Sequence, residues 1–323
     1  MLENGGSEHE EAAALCFAVA AQLADIEVGY RFEPGETPEA AVKRIAGEQI
    51  DKAVADLRGP NPDEAAFSAR KRLKKIRALL RLAREDMGKK PYRRNNAIFR
   101  DFGRTLSDLR DARAILESFD GLLAHYGAQL EPGAFMPIRA ELAQRHAAMT
   151  DWALDNRVLF EDLAESLEDA RRPVEKISLK HKGFAAIRPG LKRTYRTALR
   201  RFSEAYKSGD AEAFHEWRKP LKALWLNVRL FKPVWNEALE DFGDYSKTLS
   251  NLTGEDHNLA VLRETILAEP AAFGGEASAE ALAGLSRIRS RELRRKARPL
   301  GEALFAGPPN GFVDRMERYW DRL

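Results

Sequence analysis

Arg70-Lys71-Arg72-Leu73-Lys74-Lys75-Ile76-Arg77 and Phe214-His215-Glu216-Trp217-Arg218-Lys219-Pro220-Leu221-Lys222 are the stretches on which the fold turns. When the chain is slid against itself by 148 residues, Arg70, Lys71, Leu73, Lys74, Arg81 and Leu82 fall on Arg218, Lys219, Leu221, Lys222, Arg229 and Leu230. Ile76, Leu80 and Arg84 fall on Leu224, Val228 and Lys232. A charged pattern and an apolar pattern recurring in one register are hard to produce by composition alone. The chain therefore reads as a duplication.

The spacing inside each copy is helical. Arg70, Lys74, Arg77, Arg81 and Arg84 are three and four apart, so they share one face of a helix, about 20 Å long at 1.5 Å per residue. Leu73, Ile76 and Leu80 keep the same spacing on the face that packs into a core. The second copy gives Arg218, Lys222, Arg229 and Lys232 around Trp225, with Leu221, Leu224 and Val228 as its apolar set.

Outward from these stretches the periodicity stays helical and strand alternation is scarce, which predicts an all-α chain. Thr37 and Pro38 open a helix to about Leu57. After Gly59-Pro60-Asn61-Pro62, Asp63 is the expected cap of the Arg70 helix, which should stop near Gly88, with Pro91 just beyond. A third helix is expected over about Arg93 to Ser118, and a fourth from near Asp151 to Pro173, after a break bracketed by Gly133 and Pro137. The second half repeats the plan: a helix from about Gly190 to Lys207, the cap Ser208-Gly209-Asp210, then the His215 helix ending before Pro233. Further helices follow from about Glu237 to Leu252, from His257, and from Phe312. The resulting division is an N-terminal extension, 1–27, and two helical halves, 28–175 and 176–323.

The 323 residues carry 53 Lys and Arg against 50 Asp and Glu, so net charge alone names no partner. Position says more: the charged residues among the first forty are mostly acidic, and later segments are dense in Arg and Lys. Cys16 is the only cysteine, which excludes an intrachain disulfide and a multi-cysteine metal site and fits a reducing, cytoplasmic setting. The apolar run Ala12–Leu23 follows acids and is too short for a membrane span, so it reads as neither secretory signal nor anchor.

Like charges three and four apart repel by a few tenths of a kcal/mol per pair in an isolated helix. Few acids interrupt these stripes. A partner carrying many anions offsets the repulsion through charge-assisted hydrogen bonds and counterion release. Plain solvated faces are the alternative, favoured for the Arg287–Arg298 cluster, which has no repeat partner. His215 sits on the basic side of its helix, where neighbouring cations discourage its proton. His257 follows Gly254-Glu255-Asp256, where a capping role at a helix start is equally open. No phosphate-cradling glycine loop, nucleophile elbow or His-Glu-x-x-His motif is present. The acids Asp108, Asp111, Asp241, Glu255 and Asp256 have no metal-site spacing, and no cofactor is indicated.

The residues Phe214 to Lys222 resemble the signature helix of the CHAD family, the conserved histidine α-helical domain. Arg70 to Arg77 resemble its first copy, and Asn96 to Arg104, Leu106 to Asp111, Leu252 to Leu259, Tyr30 to Glu36 and Arg318-Tyr319-Trp320 are similar to other family segments. The resemblance runs from about residue 28 to the C-terminus. It implies two four-helix-bundle subdomains related by pseudo-two-fold symmetry around a basic groove or pore. It also implies binding of inorganic polyphosphate, often at polyphosphate granules, with no catalysis. By motif the phosphate-contacting residues are Arg70, Lys71, Lys74, Arg77, Arg104, Arg110, His215, Arg218, Lys219, Lys222, Lys247 and His257, with Arg196 from the matching pair Tyr195-Arg196. Arg81 and Arg229 join them on periodicity. Three positions depart: Phe67 stands where the first-copy histidine is expected, Asn258 replaces an aspartate, and Thr253 interrupts a Leu-Gly pair. Either the first half binds through Arg and Lys alone, or one half contributes less. A nucleic-acid binder using the same stripes and a metal-dependent phosphohydrolase are the competing functions.

Overall fold

Proline and the short polar side chains before it set where the helices begin. The computed structural model describes residues 29–131, 133–234 and 237–323; within them the regular structure is helical, without a strand. The extension 1–27 and its apolar run lie outside the described residues. Thr37 caps α1 (Pro38–Leu57) by accepting from the Ala40 N–H. Asn61, not Asp63, caps α2 (Pro62–Leu82), taking the N–H groups of Asp63 and Glu64 at 3.0 and 3.3 Å. Pro62 causes the shift: its fixed φ and missing N–H suit the first helical position, so the residue before it becomes the cap.

Three expected boundaries move. After the turn α3 (Arg84–Met87) and Gly88, at φ 90°, Pro91 falls in the first turn of α4 (Lys89–Thr105), where a missing N–H costs nothing. The expected helix over Arg93–Ser118 is broken at Leu106, and α5 runs Ser107–Tyr126. The Arg70 guanidinium hydrogen-bonds the Gly103 carbonyl, whose helical partner would be the N–H of Ser107, and reaches Ser107 Oγ at 3.2 Å. The expected Asp151–Pro173 helix is three: α6 (Met136–Asp155), α7 (Arg157–Asp169) and α8 (Arg171–Glu175). The Asn156 side chain ends α6 by donating to the Trp152 carbonyl at 2.8 Å.

In the second half, Gly209 takes the left-handed conformation that closes α9 (Arg188–Ser208), and Asp210 caps α10 (Ala211–Arg229), as the pattern predicts. The break expected before His257 is absent. Helix α11 runs unbroken from Glu237 to Ala268, so His257 is mid-helix and caps nothing. A glycine inside a helix costs only about 1 kcal/mol, and burial of Leu249, Leu259, Leu262 and Ile266 outweighs Gly254. Helices α12 (Glu276–Leu304) and α13 (Pro309–Trp320) complete the chain.

Neighbours recur in order: α1 packs on α2 as α9 packs on α10, α2 on α4 and α5 as α10 on α11, and α5 on α6 as α11 on α12. Contacts across position 175 include α2 with α9 and α10, α3 with α9, and α5 with α11. The predicted core residues Leu73, Ile76, Leu80, Leu221, Leu224 and Val228 are buried, as is Trp217. The apolar interior forms two clusters, and each draws on residues from both sides of position 175. Gly190 lets α9 lie close against α2, since a Cβ there would lie 1.8 Å from the Leu82 carbonyl oxygen. Phe32 ties the first described segment to the end of α10, through its N–H to the Leu230 carbonyl at 2.8 Å and ring contacts to Phe231 and Trp320. Among the described residues, no helix is long and apolar enough to cross a membrane.

Candidate functional site

The periodicity that buries Leu73 and Leu221 turns Arg70, Lys74, Arg218 and Lys222 away from the core. Because α2 and α10 pack together, their basic stripes converge. They line a cavity of about 220 Å³ with Arg70, Lys71 and Lys74 from α2, Arg110 from α5, and Arg218, Lys222 and Arg229 from α10. Phe67, Lys75, Trp225 and Leu226 complete the wall, which contains no carboxylate among its lining residues. Lys75 was not singled out from the sequence. It is buried, with its ammonium 5.6 Å from the Tyr30 ring centroid, and its place four residues after Lys71 was the available signal.

The cations meet different surroundings. Arg70 is held by the Gly103 carbonyl and Ser107, and Arg110 pairs with Asp111 at 2.9 Å. Arg218 has a buried Nε without a partner among the described residues. Its guanidinium lies against α11 at Gly254, where a Cβ would sit 3.8 Å from Nε. Burial, and then Arg110, push the Arg218 pKa down to about 10. Lys74 reaches the water of the groove but has protein closing round it on most sides. That enclosure, reinforced by Arg110, Arg218, Arg70 and Lys222, pushes its pKa down to about 7. Groove water opposes the shift without changing its sign.

His215 and His257 pack against each other beside Arg218, with ring centroids 4.1 Å apart and planes tilted by 34°. His215 Nδ1 is buried and unpartnered among the described residues. Burial comes first in lowering both rings; Lys219 follows for His215, while Arg218 and His215 follow for His257, which falls to about 3. Both rings are therefore neutral at neutral pH and can each donate one hydrogen bond. Lys222 stands 4.0 Å from the Trp225 ring centroid, so a cation already covers that indole.

The remaining named residues lie elsewhere. Arg81 and Lys219 line a separate cavity of about 300 Å³ with Arg84 and Arg193, and Lys219 also pairs with Glu216. Arg77 donates to Asn96 Oδ1 at 3.2 Å and feels Arg81, Arg100 and Arg104 as its charged neighbours. Arg104 is exposed, 3.7 Å from Asp101. Arg196 and Lys247 stand outside the lining of both cavities. The acids weighed as metal ligands are dispersed: Asp111 is on Arg110, Glu255 on Arg289, Asp256 on Arg294, and Asp108 beside an apolar cavity. Among the described residues no three His, Cys, Asp or Glu side chains group to hold a metal.

The arrangement suits a linear polyanion: cations from two facing helices, neutral donors at one end, no acid in the wall. The sequence model of the CHAD domain matches residues 43–267, more than half of the chain. Among solved structures the chain is similar to PptA from Streptomyces chartreusis, with 16% identity over 82% of this chain and 98% of that one and a TM-score of 0.52. It is also similar to the CHAD domain from the plant Ricinus communis, with 17% identity over 88% and 90% of the two chains and a TM-score of 0.49. A search of curated proteins returned no match.

Proposed function

The chain belongs to the CHAD domain family, and on that premise we propose that it binds inorganic polyphosphate in the groove between α2 and α10, without catalysis. One observation carries the reading: seven Arg and Lys side chains named from the sequence, Arg70, Lys71, Lys74, Arg110, Arg218, Lys222 and Arg229, line one cavity whose wall has no carboxylate. Such crowding of like charge is costly until anions enter. Phosphates supply many acceptors on one flexible chain, and the counterions they release add favourable entropy. The neutral His215–His257 pair donates hydrogen bonds without adding repulsion. In this reading the duplicated halves, 28–175 and 176–323, each give one wall, and the protein acts where polyphosphate accumulates, in cytoplasmic granules.

Nucleic acid fits less well, because base stacking needs an open aromatic face and Lys222 covers Trp225. The test is binding of labelled long-chain polyphosphate against single- and double-stranded DNA of matched charge, at two salt concentrations, for the wild type and Arg218→Glu/Lys222→Glu. Polyphosphate should win against excess DNA, weaken steeply with salt, and lose at least about a hundredfold in affinity in the variant. Equal binding of all polyanions, or an unaffected variant, would overturn the reading.

A further inference from the structure

On α10, Ala211, His215, Arg218, Lys222 and Arg229 fall on one face by their spacing. Arg218, Lys222 and Arg229 line the groove, whereas Ala211 lines a second cavity of about 510 Å³, and His215 lies between. The second cavity is walled by Arg263 of α11 and by Arg287, Arg291 and Arg294 of α12.

This wall is built, not merely basic. Arg263 Nη1 donates to Ser286 Oγ and Ser290 Oγ, each at 3.0 Å, and Ser286 donates onward to the Leu259 carbonyl at 3.2 Å. Hydroxyls fix a guanidinium without cancelling its charge, which is what an anion site needs and a structural ion pair does not provide. Arg294 is neutralised by Asp256 at 2.9 Å and spends a second donor on the Gly209 carbonyl, so it frames the cavity rather than supplying free charge. Glu280 approaches Arg287 only to 3.5 Å, and Arg291 has no ion pair among the described residues. Asp256 and, less strongly, Glu264 act on Arg263 from its own helix, and Asp210 caps α10 at the rim.

We propose that the polyanion path runs past the His215–His257 pair and over the start of α10 into this second cavity, where Arg263, Arg287 and Arg291 take further phosphates of the same chain. The proposal rests on the groove being a polyphosphate site and extends it. Ala211 lies seven residues before Arg218, about 10 Å along the helix at 1.5 Å per residue. A short chain filling the groove does not reach the second cavity, and a long chain does.

The experiment compares tripolyphosphate with long-chain polyphosphate on the full chain, for the wild type, Arg287→Gln/Arg291→Gln, and Arg218→Glu/Lys222→Glu. Arg287 and Arg291 are exposed, so their replacement leaves the fold intact. The Gln pair should weaken long-chain binding roughly tenfold, lower its salt slope by about two, and leave tripolyphosphate binding unchanged. Unchanged long-chain binding, or equal loss for both ligands, would overturn the extension while the Glu pair still abolishes binding of both. If the Glu pair leaves both ligands bound, the groove reading falls and the extension with it.

Discussion

Arg70 and Arg218 stand at equivalent places in the two copies, yet they are used differently. Arg70 gives its guanidinium to the Gly103 carbonyl and to Ser107, and breaks α4 from α5 in doing so. Both arginines keep a buried, unpartnered Nε, but Arg218 commits no other donor among the described residues and lies beside a helix that runs on without interruption. The positions three residues earlier differ in the same sense: Phe67 carries the Lys71 and Arg113 cations over its ring, and His215 packs against His257. The first copy commits one end of its arginine to its own backbone. The second holds more donors in reserve, so in the proposed polyphosphate groove the α10 wall is the better poised for a ligand.

Exchanging each arginine for alanine tests that division most directly. Arg218→Ala should cost roughly ten- to a hundredfold in polyphosphate affinity, the worth of one charge-assisted hydrogen bond, with little loss of stability. Arg70→Ala should do the reverse, removing about 1–2 kcal/mol of stability as the Gly103 carbonyl loses its partner and weakening binding only a few-fold. Titration and thermal unfolding of both variants read this out. Equal binding losses would mean that Arg70 leaves Gly103 when the ligand arrives.

Lys74 gives a smaller, pH-dependent effect, because it lies under the influence of both copies. Its folded pKa of about 7 is depressed from the ordinary 10.5. For a cation the sign follows directly: below about pH 7 Lys74 is charged in folded and unfolded chains alike, and the fold bears the cost of holding that charge among Arg110, Arg218, Arg70 and Lys222, softened by groove water. The cost fades as pH rises from about 7 toward 10.5. Binding runs the other way, since phosphate needs the proton in place. Affinity should fall several-fold between about pH 6 and 8 in the wild type. Lys74→Arg should flatten that part of the profile, because arginine keeps its charge throughout. Lys74→Met should raise the unfolding temperature at pH 6 more than at pH 9. A profile unchanged by Lys74→Arg would assign the dependence to the phosphates' own titration.

Much of this was readable from the chain. Prolines and short polar caps fixed the starts of α1 and α10, and the 148-residue offset exposed both stripes with their buried counterparts. Some failures are local, such as the cap shifted by Pro62 and the α6 end at Asn156, and the others come from interactions distant in sequence. The break at Leu106 comes from a guanidinium 33 residues away, acting on the Gly103 carbonyl. Gly254-Glu255-Asp256 has the composition of a helix start, but packing of α11 between α10 and α12 carries the helix through it. Spacing placed Arg70 and Arg81 on one stripe, yet the contact of α2 with α10 leaves Arg81 lining another cavity. No periodicity within one helix contains that information.

Phe67→His would make the two copies most alike, and the smallest effect is expected there. The Phe67 ring now lies under Lys71 and Arg113, at 5.3 and 4.9 Å from its centroid. Imidazole is the poorer host for a cation, and the two contacts are worth about 1 kcal/mol together, so the variant should be less stable by that order. Arg113 keeps Glu64 at 3.0 Å and Glu117 at 2.7 Å, which limits the damage. The new ring, flanked by Lys71 and Arg113, should stay neutral, because neighbouring cations disfavour its proton. It can offer a phosphate one hydrogen bond, while Arg70 beside it stays bound to Gly103. Affinity should therefore change by no more than about twofold, against at least tenfold for loss of Arg218. A tenfold gain instead would show that the first copy lacked only the ring, and that its arginine is released once a second donor is in place.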